Sequence, residues 1–141
     1  MLQERKIFVY GSLREGFFNY DKYLSGKVES VEIGRVKGKT LYHMPYKGYP
    51  AMLSGEGEVV GEVMVVKDYT NTMKAIDEME GFIGEGHPDN EYNKTLLEIE
   101  FADGRKEMCY AYCYNKINDK IFDTEAVFLP SGDWKEYMLN K

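Results

Sequence analysis

The sequence predicts an α+β fold: a small mixed, barrel-like β-sheet with a few packed helices. Strand-like runs outnumber helical runs along the 141 residues. An Asp-Gly pair, Asp103-Gly104, lies between two of these runs and indicates a β-hairpin. So many strands would leave open edges unless the sheet curls on itself. The length fits one domain spanning residues 1–141.

Apolar runs rich in β-branched residues predict the strands of the first half of the chain. They are Lys6–Tyr10, a long or broken strand over Val28–Tyr42, a brief extension at Ala51–Leu53, and Val59–Val66. A short helix is predicted at Asn19–Leu24, ending at Gly26. The order of elements therefore begins strand, helix, several strands.

The second half of the chain predicts a helix, a hairpin and a short terminal helix. The helix is Asn71–Gly81, with Asn71 or Thr72 as its N-cap and Gly81 as its end. The hairpin joins Lys94–Phe101 to Arg105–Tyr114 through a turn whose two central residues take positive φ. A turn leads into a helix within Ser131–Leu139. The glycine-rich loop 81–90 is expected to be functional or mobile.

The composition excludes several classes of function. The net charge is −6 and no Lys/Arg cluster is present, which argues against a nucleic-acid surface. No apolar run of about 20 residues predicts a membrane span, and the first residues lack the apolar core of a signal peptide, so we expect a cytoplasmic protein. Cys109 and Cys113 lie four apart in a predicted strand, too far for a disulfide. Two Cys and two His give no metal-ligand pattern.

The segment Tyr10–Arg14 (YGSLR) follows the first predicted strand and is a candidate anion site. A strand that ends in Gly-Ser can turn so that successive backbone N–H groups converge on one point. Such a nest binds carboxylates without a charged side chain. The alternative is a tight turn followed by a surface arginine. The glycine spacing of a nucleotide-binding loop is absent.

Glu80 is the acidic residue of the predicted helix that is best placed to meet the interior. At about 100° per residue, Met73, Ile76 and Met79 share one face, and Glu80 lies on its flank. Glu78 points away from that face. A carboxylate among apolar neighbours has a raised pKa, which suits a general base. The alternative is a glutamate at a frayed helix end that reaches water.

The last predicted strand, Arg105–Tyr114, carries a row of tyrosines, because alternate residues of a strand point to the same face. Tyr110, Tyr112 and Tyr114 share one face, and the smaller residues between them share the other. The tyrosine face either lines a pocket with hydroxyl groups or forms a half-exposed surface of the sheet.

These segments together resemble the gamma-glutamyl cyclotransferase-like family. In the order of that family, the chain has FVYGSLREG, GYPAM, VVGEVMVV, IDEMEGF, EYNK and AYCY. The correspondence runs from about Lys6 to about Tyr114. One position departs from the pattern: Lys94 stands where the family has arginine, so a bidentate role is lost there.

The resemblance implies both the fold and the reaction. The fold is a small mixed barrel with helices packed around it. The YGSL backbone, Tyr10, Gly11, Ser12 and Leu13, holds the substrate's carboxylate, and Glu80 is the acid/base; Tyr92 and Tyr112 are further expected substrate-binding residues. The substrate's own α-amine attacks its γ-carbonyl, which yields 5-oxoproline and a free amine or amino acid. No metal or cofactor is then needed, and the expected partner is a small molecule bound by a monomer or homodimer.

Two other readings stay open. A non-catalytic module that binds a carboxylate-bearing metabolite would keep the nest and the pocket without turnover. A structural or partner-binding protein is less favoured and would show a large exposed apolar patch. The substrate also stays open among glutathione, other gamma-glutamyl amino acids, gamma-glutamyl amines and a biosynthetic intermediate.

Overall fold

A computed structural model describes residues 5–140, and within them the chain forms six strands and five helical segments. The strands are β1 (Ile7–Val9), β2 (Val28–Met44), β3 (Tyr49–Val66), β4 (Tyr92–Phe101), β5 (Lys106–Tyr114) and β6 (Val127–Phe128). The helices are a π-helical turn (Tyr20–Leu24), α1 (Tyr69–Met79), a 3-10 turn (Lys116–Asn118), α2 (Phe122–Glu125) and α3 (Trp134–Leu139). No helix within residues 5–140 is long and apolar enough to cross a membrane.

Five of the strands close into a barrel. Their neighbour order is β3-β1-β5-β4-β2, and β2 pairs again with β3. Only β1 and β5 run parallel among the described strand pairs; the other pairs are antiparallel. The short β6 adds to the outer part of β2. Closure leaves few open edges, as the sequence predicts, and the α+β barrel-like fold is confirmed.

The core consists of two sets of side chains on opposite faces of the sheet. One set fills the barrel and includes Phe8, Val63, Ile99, Cys109 and Ala111. The other lies between the barrel and the helices and includes Ile7, Met64, Met73, Ile76 and Tyr112. The predicted alternation in β5 is therefore confirmed, with small side chains inside the barrel and tyrosines towards α1.

The elements differ from the sequence predictions in three places. The separate strands predicted over 51–66 form one continuous β3. Helix α1 begins at Tyr69 after Asp68, so the predicted N-cap at Asn71 or Thr72 is wrong. In the β4–β5 hairpin only Gly104 takes positive φ, so the predicted two-residue turn is wrong as well. Two further short elements, α2 and β6, are not predicted from the sequence.

Candidate active site

One cavity lies where the loop after β1 meets the end of α1. Counted together with the open space at its mouth, it encloses about 520 Å³ that no protein atom fills. All seven residues predicted for the site line it, namely Tyr10, Gly11, Ser12, Leu13, Glu80, Tyr92 and Tyr112. The sequence missed other lining residues, among them Asn19, Tyr49, Met79 and Glu91. The structure brings the predicted residues together, and their roles stay predictions.

The loop Gly11–Leu13 offers unpaired backbone donors to this cavity. Arg14 N–H donates to the Gly11 carbonyl over 2.9 Å and closes a tight turn. Within residues 5–140, the N–H groups of Gly11, Ser12 and Leu13 donate to no protein acceptor. These three residues are nevertheless buried. Buried N–H groups without a partner are rare, so a ligand that accepts hydrogen bonds is the natural partner here.

Gly11 is required by the close approach of Pro50. A Cβ atom at position 11 would lie 2.7 Å from Pro50 Cγ, closer than real contacts allow. The first turn of the Gly11–Leu13 loop thus packs against the Tyr-Pro segment of β3. This contact brings the two segments together in space, although they are about 40 residues apart in the sequence.

We expect Gly11→Ala to lower the free energy of unfolding by about 1–3 kcal/mol, because the loop or Pro50 must move to admit the methyl group. Gly84→Ala is the matched control, since a Cβ at Gly84 meets nothing within 4 Å. Urea unfolding of both variants measures the difference. Equal stabilities for the two variants would contradict the packing argument.

A buried ion-pair network fixes the other end of the loop. Arg14 Nε donates to Glu62 Oε2 over 2.9 Å, and Arg14 Nη1 donates to Asp133 Oδ1 over 2.9 Å. The Arg14 and Glu62 side chains are each only 5% exposed. Glu62 Oε1 also accepts the Glu15 N–H over 3.0 Å. The arginine is therefore a buried anchor that ties the loop to β3 and to the start of α3, and the alternative of a surface arginine is wrong.

Ser12 presents a hydroxyl hydrogen that the protein does not use. Asn19 Nδ2 donates to Ser12 Oγ over 2.7 Å, which orients the hydroxyl. Within residues 5–140 the Ser12 hydroxyl donates to no acceptor, and it lies in the cavity lining. Asn19 was not predicted as a site residue, because an asparagine at a helix start is typical of an ordinary cap.

Glu80 lies at the C-cap of α1, where the chain turns sharply. Phe82 N–H donates to the Asp77 carbonyl over 2.9 Å and Gly81 N–H to the Glu78 carbonyl over 3.2 Å, a Schellman motif with Gly81 at φ +68°. The motif fixes the helix end, so Glu80 is not at a frayed terminus. Its side chain lines the cavity, while Glu78 is exposed.

The environment of Glu80 disfavours its charged form. Burial, together with the smaller effects of the nearby carboxylates of Glu91 and Asp77, raises the pKa of Glu80 to about 8. Within residues 5–140 no donor hydrogen-bonds to the Glu80 carboxylate. Glu80 is thus a carboxyl group whose pKa lies in the range where a general acid/base works at neutral pH.

The tyrosine hydroxyls of the cavity already donate to protein acceptors. Tyr10 donates to the Tyr112 carbonyl, and Tyr92 donates to the Pro50 carbonyl over 2.6 Å. Tyr112 donates to Asp77, and Tyr49 donates to Glu91. These rings form walls and their oxygens can still accept, but their hydrogens are not free for a substrate carboxylate. The donors left for an anion are backbone N–H groups and Ser12.

Lys94 lies outside the cavity lining and supports the helix that carries Glu80. Its Nζ is 3.3 Å from Asp77 Oδ1 and 4.8 Å from the centre of the Tyr110 ring. Asp77 in turn accepts the Tyr112 hydroxyl. Both contacts require only a positive charge, which lysine supplies as arginine would. The replacement of the family's arginine by Lys94 therefore lies at a position that supports the helix. Of the tyrosine row, Tyr112 lines the cavity and Tyr110 packs beneath Lys94.

The loop 81–90 does not line the cavity. The Asn90 side chain holds it by accepting the Ile83 N–H over 2.6 Å and donating to the Gly84 carbonyl over 2.8 Å. Cys109 and Cys113 are free thiols, as predicted. Within residues 5–140 no group of three His, Cys, Asp or Glu side chains is arranged to hold a metal ion.

Several known proteins are similar to this chain in sequence or in fold. The family model described as gamma-glutamyl cyclotransferase, AIG2-like, matches residues 7–136. A protein of Methanocaldococcus jannaschii provisionally named a gamma-glutamylcyclotransferase is 34% identical over 133 residues, 93% of this chain and 96% of that protein. The gamma-L-glutamyl-butirosin B gamma-glutamyl cyclotransferase of Niallia circulans is 30% identical over 133 residues, 94% of this chain and 77% of that enzyme. The fold of an AIG2-like protein from Mus musculus matches with a TM-score of 0.64 at 22% identity, covering 82% of this chain and 80% of that one.

Proposed function

Because the chain belongs to the gamma-glutamyl cyclotransferase, AIG2-like family, we propose that it cyclises the gamma-glutamyl group of a gamma-glutamyl amide. The products are 5-oxoproline and the released amine or amino acid. One observation carries the proposal: the Glu80 carboxyl group faces the same cavity as the three unpaired N–H groups of Gly11–Leu13. A base and an anion site in one cavity suit the ammonium group and the carboxylate of one amino acid group.

The substrate's α-carboxylate is placed on the Gly11–Leu13 backbone in this proposal. Three N–H donors compensate its charge without a basic side chain, which suits a cavity lined by no Lys or Arg among the described residues. The Ser12 hydroxyl supplies a further donor, to the carboxylate or to the oxygen on which negative charge develops. Tyr10, Tyr92 and Tyr112 shape the cavity so that the glutamyl chain folds back on itself.

Glu80 performs the two proton transfers. Its carboxylate takes a proton from the substrate's α-ammonium, and the freed amine attacks the γ-carbonyl carbon to form the ring C–N bond. Glu80 then gives that proton to the leaving nitrogen as the amide C–N bond breaks, while the ring nitrogen releases its one remaining extra proton to solvent and becomes the lactam N–H. The nucleophile belongs to the substrate, so the step needs no cofactor. Holding both groups in one folded chain can lower the barrier by about 7–11 kcal/mol in favourable cases.

The pH dependence of kcat/KM follows from the pKa of Glu80. The base must be ionised, so below the pKa of about 8 we expect kcat/KM to rise about tenfold per pH unit. It should fall again once the substrate's ammonium, with a reference pKa of about 7.7–8.0 in peptides, loses its proton. Initial rates of 5-oxoproline release across this range measure the profile. A flat profile below neutrality would contradict the role of Glu80.

The direct test of function is a panel of gamma-glutamyl amides. Glutathione, gamma-glutamyl amino acids and gamma-glutamyl amines are each incubated with the protein, and 5-oxoproline is measured by mass spectrometry. We expect release from at least one member of the panel. The alternative, a binding module for a carboxylate metabolite, predicts binding by calorimetry with no product from any member. The acidic group beside the anion site favours the enzyme over the binding module.

A further inference from the structure

The loop 81–90 brings a second carboxylate to the site, that of Glu91. Glu91 N–H donates to the Gly81 carbonyl over 3.0 Å, so the two ends of the loop meet. A Cβ atom at Gly81 would lie 2.9 Å from Glu91 Cβ, which shows how closely the residue after Glu80 approaches Glu91. Glu80 and Glu91 are eleven residues apart in sequence, yet both line one cavity.

The Glu91 carboxylate is held on one side only. Its Oε2 accepts the Tyr49 hydroxyl and, over 3.0 Å, the Lys47 ammonium group. Within residues 5–140 its Oε1 accepts no hydrogen bond. The Lys47 and Glu91 side chains are 29% and 32% exposed, so water weakens their attraction but does not cancel it. One oxygen is fixed by the protein and the other is left for a donor in the cavity.

The charges around Glu80 leave it without a cationic neighbour in the cavity lining. Glu91 is the first charge that acts on Glu80, followed by Asp77, and Asp77 is paired with Lys94 and Tyr112. The titratable groups that face Glu80 from the surrounding elements are Tyr10, Tyr49, Tyr92 and Tyr112. Each of these tyrosines is uncharged at neutral pH, because burial raises its pKa. Glu91 is thus the group whose charge can change the behaviour of Glu80.

We propose that Glu91 is a positioning residue for the reaction: it attracts the substrate's ammonium group to Glu80 and sets the pH at which Glu80 is ionised. In the substrate-free protein, burial and the like charge of Glu91 both oppose ionisation of Glu80, so Glu80 keeps its proton. An ammonium group placed between them relieves that repulsion and lets Glu80 act as a base. Lys47 limits the effect by offsetting part of the Glu91 charge. The proposal deepens the proposed function and rests on it for the role of Glu80.

The test reads the Glu80 carboxyl group directly in the substrate-free protein. Side-chain carboxyl groups of glutamate are labelled with carbon-13, and the Glu80 signal is identified by its loss in Glu80→Gln. We expect Glu91→Gln to lower the titration midpoint of Glu80 by about 0.5–1 pH unit, since a like charge is removed. We expect Lys47→Met to raise it, because Glu91 then acts uncompensated. Glu78→Gln, on the exposed face of α1, is the matched control and leaves the midpoint unchanged.

The kinetic counterpart separates binding from protonation. With any gamma-glutamyl amide that the wild-type protein cleaves, we expect Glu91→Gln to raise KM about two- to fivefold and to shift the acidic limb of the pH profile downward. A midpoint that does not move in Glu91→Gln, or that moves down in Lys47→Met, overturns the proposal. If Glu91→Gln does not fold, the direction in which Lys47→Met shifts the titration midpoint of Glu80 decides the test. If the midpoint shifts as expected but no substrate is cleaved, the proposed function fails and the coupling between the two carboxylates stands.

Discussion

Replacing Glu80 with Gln is expected to lower the rate of 5-oxoproline release by about 10²–10⁴-fold, because in the proposed mechanism this one group performs both proton transfers. Glutamine keeps the size and shape of the side chain at the C-cap of α1, so the Schellman motif and the cavity are retained. The loss should appear in kcat more than in KM, since the proposed mechanism places the α-carboxylate elsewhere, on the Gly11–Leu13 backbone. Single-turnover and steady-state assays of 5-oxoproline measure both parameters.

Glu78→Gln is the control for that experiment. Glu78 lies on the same helix two residues earlier, and its side chain is exposed. It should retain wild-type turnover, which separates the loss of a base from the loss of a charge on α1. Full turnover by Glu80→Gln would remove Glu80 from the mechanism.

The same substitution should stabilise the protein at alkaline pH. The folded-state pKa of Glu80, about 8, lies above the ordinary value of 4.5, so the folded protein binds this proton more tightly than the unfolded chain does. Stability from this group is therefore full below the ordinary pKa and is lost as the pH rises through about 8. Glu80→Gln removes that loss. We expect the free energy of unfolding of this variant to exceed that of the wild type by on the order of 2–4 kcal/mol at about pH 9. Urea unfolding at acidic and alkaline pH measures this difference in the free energy of unfolding, which should be small at about pH 4.

Replacing Arg14 with Met is expected to lower the free energy of unfolding by about 3–5 kcal/mol. The substitution leaves Glu62 buried at the barrel wall without its partner and removes the link from the loop to Asp133. Desolvation of the Glu62 carboxylate, which keeps only the more distant Lys135 ammonium group at 3.8 Å, is responsible for most of the loss. Because Arg14 anchors the loop that holds the three unpaired N–H groups, KM for a gamma-glutamyl amide should rise as well.

A double-mutant cycle tests this account of the buried pair. Glu62→Met alone should also destabilise strongly, whereas the double variant, which buries neither charge, should recover a large part of the loss. The surface pair of Arg35 and Glu58, with side chains 48% and 43% exposed, is the comparison. Arg35→Met should change stability by no more than about 1 kcal/mol. Additive losses at Arg14 and Glu62 would show that the pair does not act as a unit.

The position of Glu80 could be predicted because a helix fixes the angle between its residues. Once α1 is recognised, Met73 and Ile76 define the buried face, and Glu80 must lie on its flank. The same holds for β5, where strict alternation puts Tyr112 and its neighbour Ala111 on opposite faces of the strand. The YGSL loop was found from its glycine and from the family resemblance together. These are local regularities that tertiary packing leaves intact.

The role of Glu91 could not be predicted from the sequence because loop closure brings it to the site. Nothing in the pattern around residue 91 says that the Gly81 carbonyl accepts its N–H. Asn19 is similar: its amide reaches Ser12 only because the π-helical turn folds back over the loop. Contacts of this kind depend on how two segments meet, which hydrophobic periodicity does not encode.

The errors in the elements have local physical causes. Residues 54–58 of β3 are exposed on both faces of the sheet, so this part of the strand shows no hydrophobic alternation. The sequence therefore predicts two separate strands on either side of it. Helix α1 begins early because the Thr72 hydroxyl donates to the Lys67 carbonyl over 2.7 Å, which draws the preceding residues into the first turn. In the β4–β5 hairpin, Gly104 alone takes positive φ, at +91°, so Asp103 need not adopt a left-handed conformation.

The most direct measurement of the central claim is a crystal structure of the Glu80→Gln protein with an intact gamma-glutamyl amide bound. The α-carboxylate should accept hydrogen bonds from the N–H groups of Gly11–Leu13, and the α-nitrogen should lie within about 2.6–3.2 Å of the side chain at position 80. The γ-carbonyl carbon should then lie within reach of that nitrogen. A glutamyl group bound outside this cavity, or bound with its α-nitrogen turned away from position 80, would contradict the account.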